Sequence, residues 1–382
     1  MKKTIKAFLK RLTYFRLLFL RFVYSFFGIF PIKHNRIMFI SFNGKQYSCN
    51  PRAVSERIAT QNQYEIIWGF RDPLKMAKIV PDTVRCVRFK SLKFYYLVKT
   101  SKVVVMNGRS DGTFSRRKGQ FFIQTWHASN GYKVIKADKG VSAKISWLAC
   151  KDFSFVNVGC RHMLTERVHG TMHFYGETIE GTPRMDKIVQ GNTDVRESVL
   201  EGLGVSPDAF VVLYAPTYRN TTLCDYGLDY RNVIDSFSQR VGKRVVLLVR
   251  MHYFVKPNVR DVSDVLDVSQ YPDIQDLLLS CDAMISDYSS CIWDYSFLYK
   301  PCFLFCHDLE TYNNFSVPIE TWGFDVARTN EELSQNIRDF SIERFVEKMH
   351  EHHLAMGSFE DGKATERTAD LISRLCFGDK DE

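Results

Sequence analysis

The order of the sequence predicts two Rossmann-like α/β domains, each doubly wound about a parallel sheet. Three observations predict them. Short β-branched and aromatic runs alternate with helically spaced segments, the runs are continuously apolar, and they fall into two sets separated by a polar stretch. Continuous apolar runs suit strands covered on both faces, and strand–helix alternation is the doubly wound pattern.

Residues 1–35 form a basic amphipathic segment ahead of the first strand. Residues 1–36 hold nine Lys or Arg and no acidic side chain, which accounts for the whole formal charge of +9. The remaining basic and acidic residues cancel, so a general nucleic-acid-binding surface is excluded. Large apolar residues from Phe8 to Phe30 fill the same segment, with Arg16 and Arg21 interrupting them. That interruption argues for a helix lying on an anionic membrane surface rather than spanning it. No small-residue cleavage site follows, which argues against a secretion signal.

The first domain is expected over residues 36–190. Its strand runs include RIMFISF (36–42), VVVMN (103–107), FFIQTW (121–126), FSFVNVG (153–159) and HFYGETI (173–179). A polar break near 187–209 leads to the second domain, expected over 191–328, with FVVLYAPTY (210–218), RVVLLVRMH (244–252), AMISDYSS (283–290) and PCFLFCHD (301–308). Residues 329–382 turn polar and helical and are expected to close the fold. Two such domains facing one cleft make the B-type glycosyltransferase (GT-B) arrangement.

Ten cysteines are scattered without a Cys-x-x-Cys pair, several inside apolar runs. They fit small buried hydrophobes in a reducing compartment better than disulfides or a metal site. No Gly-x-Gly-x-x-Gly fingerprint occurs, and neither cofactor nor metal is expected.

In open α/β sheets ligands bind beyond the carboxyl ends of the strands, which selects the polar residues ending each run. His127 in Gln124-Thr125-Trp126-His127 can take a proton from an acceptor hydroxyl or merely finish a turn. Arg250 and His252 in Leu248-Val249-Arg250-Met251-His252 suit an anionic phosphate, with an ion pair as the plainer alternative. In Ser286-Asp287-Tyr288-Ser289-Ser290, Asp287 or a serine can cap a following helix, and Ser289 and Ser290 can hold a pyrophosphate. Thr217 and Arg219 follow another strand and can reach donor phosphate, while Gly181 to Asp186 suits a hinge, with a purely structural role as the alternative for either.

Taken in order, QTWH, G-x-PR-x-D, LYAPTYR, LVR-x-H, DIQDLLLSCDAMISDYSS and KP…HDLE-x-Y resemble the CDP-glycerol glycerophosphotransferase family of teichoic-acid and capsule synthesis, from about residue 100 to residue 315. The resemblance implies attack by an acceptor hydroxyl on the β-phosphate of CDP-glycerol or CDP-ribitol, with CMP leaving. It makes His127 the general base, His252 and Arg250 the pair on the transferring phosphate, and Ser289 and Ser290 the pyrophosphate contacts. Asp287 and Asp308 are weaker candidates for loop geometry and nucleotide contacts. It implies a lipid-linked glycan or polyol-phosphate acceptor at the cytoplasmic face of a bacterial membrane.

Three departures stand out: Ala128-Ser129 where the family often has Gly-Thr, Met185 for a usual asparagine, and Tyr253 for a common proline. The chain lacks the large extra domain of some polymerising members, which points to a primase-like or short-chain role. Two rivals are a nucleotide-sugar glycosyltransferase of the same fold and a membrane scaffold with an inert α/β body.

Overall fold

The structure, a computed structural model, describes residues 2–110, 112–135, 138–192, 194–219, 226–251, 262–312 and 314–378. It divides into two compact units, Met1–His127 with Ile135–Asp186 and Phe359–Glu382, and Ala128–Val134 with Lys187–Ser358.

The first unit holds β1 (Lys33–Ile40), β2 (Glu65–Phe70), β3 (Val84–Arg88), β4 (Ser101–Met106), β5 (Phe121–Gln124), β6 (Phe155–Val158) and β7 (Glu177–Glu180). They form one parallel sheet in the order β3-β2-β1-β4-β5-β6-β7. Strands β2 and β3 extend the set read from the sequence. β3 is an edge strand that buries Val84 and Val87 and exposes Arg85 and Arg88, so it shows no continuous apolar run. Ile37, Phe39, Trp68, Phe70, Val103 and Val105 build the core, with Val54 and Ile58 of helix Cys49–Ala59 and Ile372 and Cys376 of helix Ala364–Phe377.

The 329–382 segment is therefore divided. Its last helix belongs to the first unit, whereas helices Asn330–Asp339 and Ile342–Met356 belong to the second. Gly181 to Asp186, expected to shape a hinge, ends at the boundary where Lys187 begins the second unit, and it also clasps the last helix to the first unit. The Asp186 carboxylate accepts from the backbone N–H of Ala364 (3.0 Å) and Thr365 (2.7 Å), capping the helix. Gly181 has φ +80°, and a Cβ there would meet Ala364 Cβ at 2.8 Å.

The second unit holds β8 (Phe210–Tyr214), β9 (Val245–Val249), β10 (Val265–Asp267), β11 (Ala283–Ser286), β12 (Cys302–Phe305) and β13 (Asp325–Ala327), parallel in the order β10-β9-β8-β11-β12-β13. Both sheets reverse strand order once, between β1 and β4 and between β8 and β11. Ligand sites of doubly wound folds lie at such switch points.

Helix α1 (Lys2–Ser25) lies along the first unit. Leu17 and Arg21 are buried on one face, and Tyr24 stacks on Tyr95 with ring centroids 3.5 Å apart. The Arg21 guanidinium donates to the carbonyls of Gly112, Phe114 and Leu148 and pairs with Asp152. Arg21 is thus an anchor to the body, not one of the cations available to headgroups. Phe8, Leu12, Phe15, Phe19 and Phe22 on the helix, with Phe26 in the 3-10 turn that follows it, are exposed and spaced four and three residues apart, as one stripe. By length and composition Phe8–Ile29 also meets the requirement for crossing a membrane. The polar anchorage of Arg21 nevertheless ties this helix to the protein side by side.

Candidate functional site

In the first unit the candidate residues gather at the switch point. Ser41 follows β1 and Asn107 follows β4, and Asn107 locks the two ends: its Oδ1 accepts from the N–H of Phe42 (2.8 Å) and its Nδ2 donates to Ser41 Oγ (3.1 Å). The Asn107 carbonyl lies 2.7 Å from His127 Nδ1. A carbonyl only accepts, so Nδ1 carries the proton and Nε2 keeps the lone pair. Trp126, with φ +50°, and Phe42, with φ +44°, both adopt strained left-handed backbone beside this imidazole. Their rings lie 4.4 Å and 5.7 Å from it, centroid to centroid.

His127 is partly exposed, yet its pKa falls to about 4. Burial disfavours the imidazolium most, the Asn107 hydrogen bond opposes that, and the Arg184 and Arg167 charges add repulsion. The imidazole is neutral at neutral pH, with Nε2 free to accept a proton.

In the second unit four residues named from the sequence converge at the β8/β11 switch point. Asp287 accepts from the Thr217 backbone N–H at 2.8 and 3.0 Å. Arg219 donates from Nε to Asp308 (2.7 Å) and from Nη2 to Asp287 (2.7 Å) and Asp308 (3.2 Å), while Nη1 bonds the Thr217 carbonyl (2.8 Å). Its fork is occupied by two carboxylates, so Arg219 positions the loops that carry Thr217 and Asp287 instead of pointing freely at phosphate. The guanidinium also lies over the rings of Tyr288 (5.1 Å) and Tyr312 (4.9 Å), which stack on each other at 4.4 Å. Tyr288 Oη donates to Asp308 (3.0 Å). Arg219 holds the Asp308 carboxyl below the ordinary carboxylate range, overcoming the opposing effect of burial.

Asp287 caps no helix, contrary to one reading of the sequence, because both its oxygens serve Thr217 and Arg219. Ser290 sits at the cap position of the short helix Cys291–Ser296 with no side-chain capping bond, and Ser289 Oγ accepts from the Cys291 thiol at 3.1 Å. Both serines are partly exposed. Arg250 donates from Nη1 to the carbonyls of Tyr271 (2.8 Å) and Val268 (3.3 Å), and among the described residues it has no carboxylate in ion-pair range. Burial lowers the Arg250 pKa, with Asp273 opposing. His252 and Tyr253 lie outside the described residues.

Lys133 was not legible from the sequence. The segment 128–134 packs within the second unit, where Trp293 Nε1 donates to Ser129 Oγ (2.8 Å) and Tyr132 stacks on Trp322 (3.9 Å). This brings Lys133 Nζ to 3.1 Å from Thr217 Oγ1. Its pKa drops to about 8, chiefly through burial, with Asp287 opposing and Arg219 assisting. No strand end or motif signals such a lysine. A cavity of about 1070 Å³ in the same unit is bordered by Tyr214, Tyr226, Arg231 and Arg338, and among the described residues none of the candidate site residues lies in its wall.

The model of the CDP-Glycerol:Poly(glycerophosphate) glycerophosphotransferase family matches residues 22–374. A teichoic acid poly(glycerol phosphate) polymerase of Staphylococcus epidermidis is 27% identical over 90% of this chain and 51% of its own length, so the chain spans about half of that relative. A teichoic acid glycerol-phosphate transferase of Staphylococcus aureus is 26% identical over 88% of this chain and 92% of its own. A teichoic acid ribitol-phosphate primase of Bacillus spizizenii is 24% identical over 91% and 92%. The solved wall teichoic acid polymerase TagF superposes with a TM-score of 0.80 at 24% identity, covering 97% of this chain and 98% of that one, a likeness of fold. With the family model spanning most of its length, the chain belongs to the CDP-glycerol:poly(glycerophosphate) glycerophosphotransferase family.

Proposed function

We propose that this protein transfers glycerol phosphate, or a related alditol phosphate, from a CDP-activated donor to a lipid-linked wall or capsule acceptor, releasing CMP. The acceptor hydroxyl attacks the donor β-phosphate, its proton passes to Nε2 of His127, and the bond to the CMP oxygen breaks. The observation that carries this reading is the His127 imidazole, held as the Nδ1–H tautomer by Asn107 at a strand end. The first unit then serves the acceptor. In the second, Thr217, Ser289, Ser290, Arg250 and His252 hold the donor's phosphates, while Arg219, Asp287 and Asp308 fix the loops. Family membership supports the donor class, and a variant of TagF has been solved after soaking with CDPG. Relatives named for both glycerol phosphate and ribitol phosphate leave both donors in play.

We also propose peripheral attachment to the cytoplasmic face of the membrane. The Phe8 to Phe26 stripe is exposed and flanked by Lys10, Arg11 and Arg16, and Trp147 is exposed on helix Val141–Cys150, which packs beside α1. Aromatic side chains sinking into the acyl boundary under anionic headgroups account for both features.

CMP release by the purified protein decides the chemistry, with CDP-glycerol and CDP-ribitol supplied separately beside a lipid-linked acceptor. Acceptor-dependent CMP formation that collapses in His127→Ala is expected. Turnover with a nucleotide sugar but with neither CDP-alditol would replace this reading by that of a glycosyltransferase.

A further inference from the structure

Among the described residues Arg167 has no carboxylate partner for its guanidinium. It lies in a π-helical turn, Leu164–His169, a rare geometry that is frequent at functional sites. Its guanidinium sits 5.2 Å from the ring centroid of Trp126, the neighbour of His127. Among the described residues Nη1 reaches only Thr171 Oγ1, at 3.5 Å, and the buried Nε has no hydrogen-bond partner. The charged neighbours of Arg167 are instead cations: Arg109 repels it, and Arg184 acts with it on His127. Arg109 is itself partly exposed, with Asp138 at 3.6 Å and Ser146 at 3.1 Å.

Arg167 is partly exposed, but its Nε is buried without a partner among the described residues and Arg109 is a like charge beside it, and both features are unfavourable unless something else offsets them. The Trp126 face offsets part of this. A bound anion offsets far more, and an arginine fork matches phosphate oxygens.

We propose that Arg167, assisted by Arg109, is a binding site for the phosphate diester of the acceptor's terminal polyol-phosphate unit, holding that unit's free hydroxyl at His127 Nε2. This deepens the function proposed above and rests on it for the role of His127. The arrangement also answers a difficulty. An imidazole as weakly basic as His127 is a poor proton acceptor, and a phosphate beside Arg167 and Arg184 would raise its basicity only when acceptor is bound.

Two measurements test it on the full chain. In steady-state kinetics, Arg167→Ala should raise the acceptor KM at least tenfold and leave the donor KM within twofold. A rise in the donor KM alone, or no change in either, would overturn the proposal. Arg167→Lys, which keeps the charge and the apolar stem, guards against a folding defect and should fall between the two. Separately, histidine NMR of the protein titrated with sn-glycerol 3-phosphate, with His127 assigned by His127→Asn, should show its imidazole pKa rising in the wild type and not in Arg167→Ala. An unmoved His127 would refute the subsite. Should the wild type turn over no CDP-alditol, the proposed function fails, and the titration still decides the anion site.

Discussion

His127 Nδ1 and the backbone carbonyl of Asn107 stand 2.7 Å apart, and the carbonyl belongs to the residue directly after β4 at the point where the first sheet reverses its strand order. One backbone atom therefore sets the tautomer of the imidazole, and no side-chain substitution at 107 removes it. A rigid sheet end, not a partner carboxylate, orients the proposed base.

The first consequence concerns pH. An ordinary histidine base would lose activity below about pH 6.5. With His127 lowered to about 4, the free protein keeps it neutral well below that, so the acid limb of kcat/KM should fall under pH 5. If acceptor raises its basicity, the acid limb of kcat should lie at higher pH than that of kcat/KM. His127→Gln should lower kcat by roughly 10²–10⁴-fold without lowering thermal stability.

Arg219 should behave as a structural residue. Its fork joins Asp287 and Asp308, with side chains 12%, 2% and 20% exposed. Arg219→Ala leaves both carboxylates uncompensated and should destabilise the fold by about 3–5 kcal/mol, read as a fall in the denaturant midpoint. Because the Asp308 carboxyl is held below its ordinary value, its contribution is complete above the ordinary carboxylate range. It is lost as pH falls through the lowered folded-state value.

Ser290 makes the opposite forecast. Its hydroxyl caps no helix, so Ser290→Ala should change stability by no more than about 0.5 kcal/mol. If it holds the donor's pyrophosphate, the donor KM should rise severalfold. An unchanged donor KM would remove it from the site.

His353 predicts acid lability. It is 7% exposed, accepts or donates at 2.6 Å with Ser296 Oγ, and stacks on Phe297 at 3.9 Å. Burial, then the His352 and His350 charges, lower it to about 3. The unfolded chain takes up a proton near pH 6.5 and the folded one does not, so the contribution is complete above that pH. It declines by about 1.4 kcal/mol per unit as pH falls from 6.5 toward 3. Thermal unfolding from pH 7.5 to 4.5 should show this slope, and His353→Leu should flatten it.

The two faces of α1 separate membrane binding from folding. Changing Phe15, Phe19 and Phe22 together to Ser should abolish co-flotation with anionic vesicles and leave the melting temperature unchanged. Arg21→Ala should do the reverse, because Arg21 anchors the helix through Asp152 and three carbonyls.

The strand runs and their polar ends were legible because burial on both faces writes continuous apolar runs into local sequence, as in Val103–Met106 and Val245–Val249. The same rule singled out His127, Thr217, Arg219 and Asp287, and the family resemblance added Asp308. Neither said that Arg219 would be consumed by the two aspartates, because their approach brings together positions 68 and 89 residues apart. That Arg21 anchors the helix to the body was not legible, since composition does not reveal which face of a helix meets the body.

Sequence alone thus determined the doubly wound class, the family and the residues at the strand ends, all carried by local pattern. Tertiary structure alone decided the tautomer of His127, the entry of Lys133 into the second unit, the capping of the last helix by Asp186 and, among the described residues, the lack of a carboxylate beside Arg167. Each depends on through-space distance between segments remote in the chain, and no local periodicity encodes that.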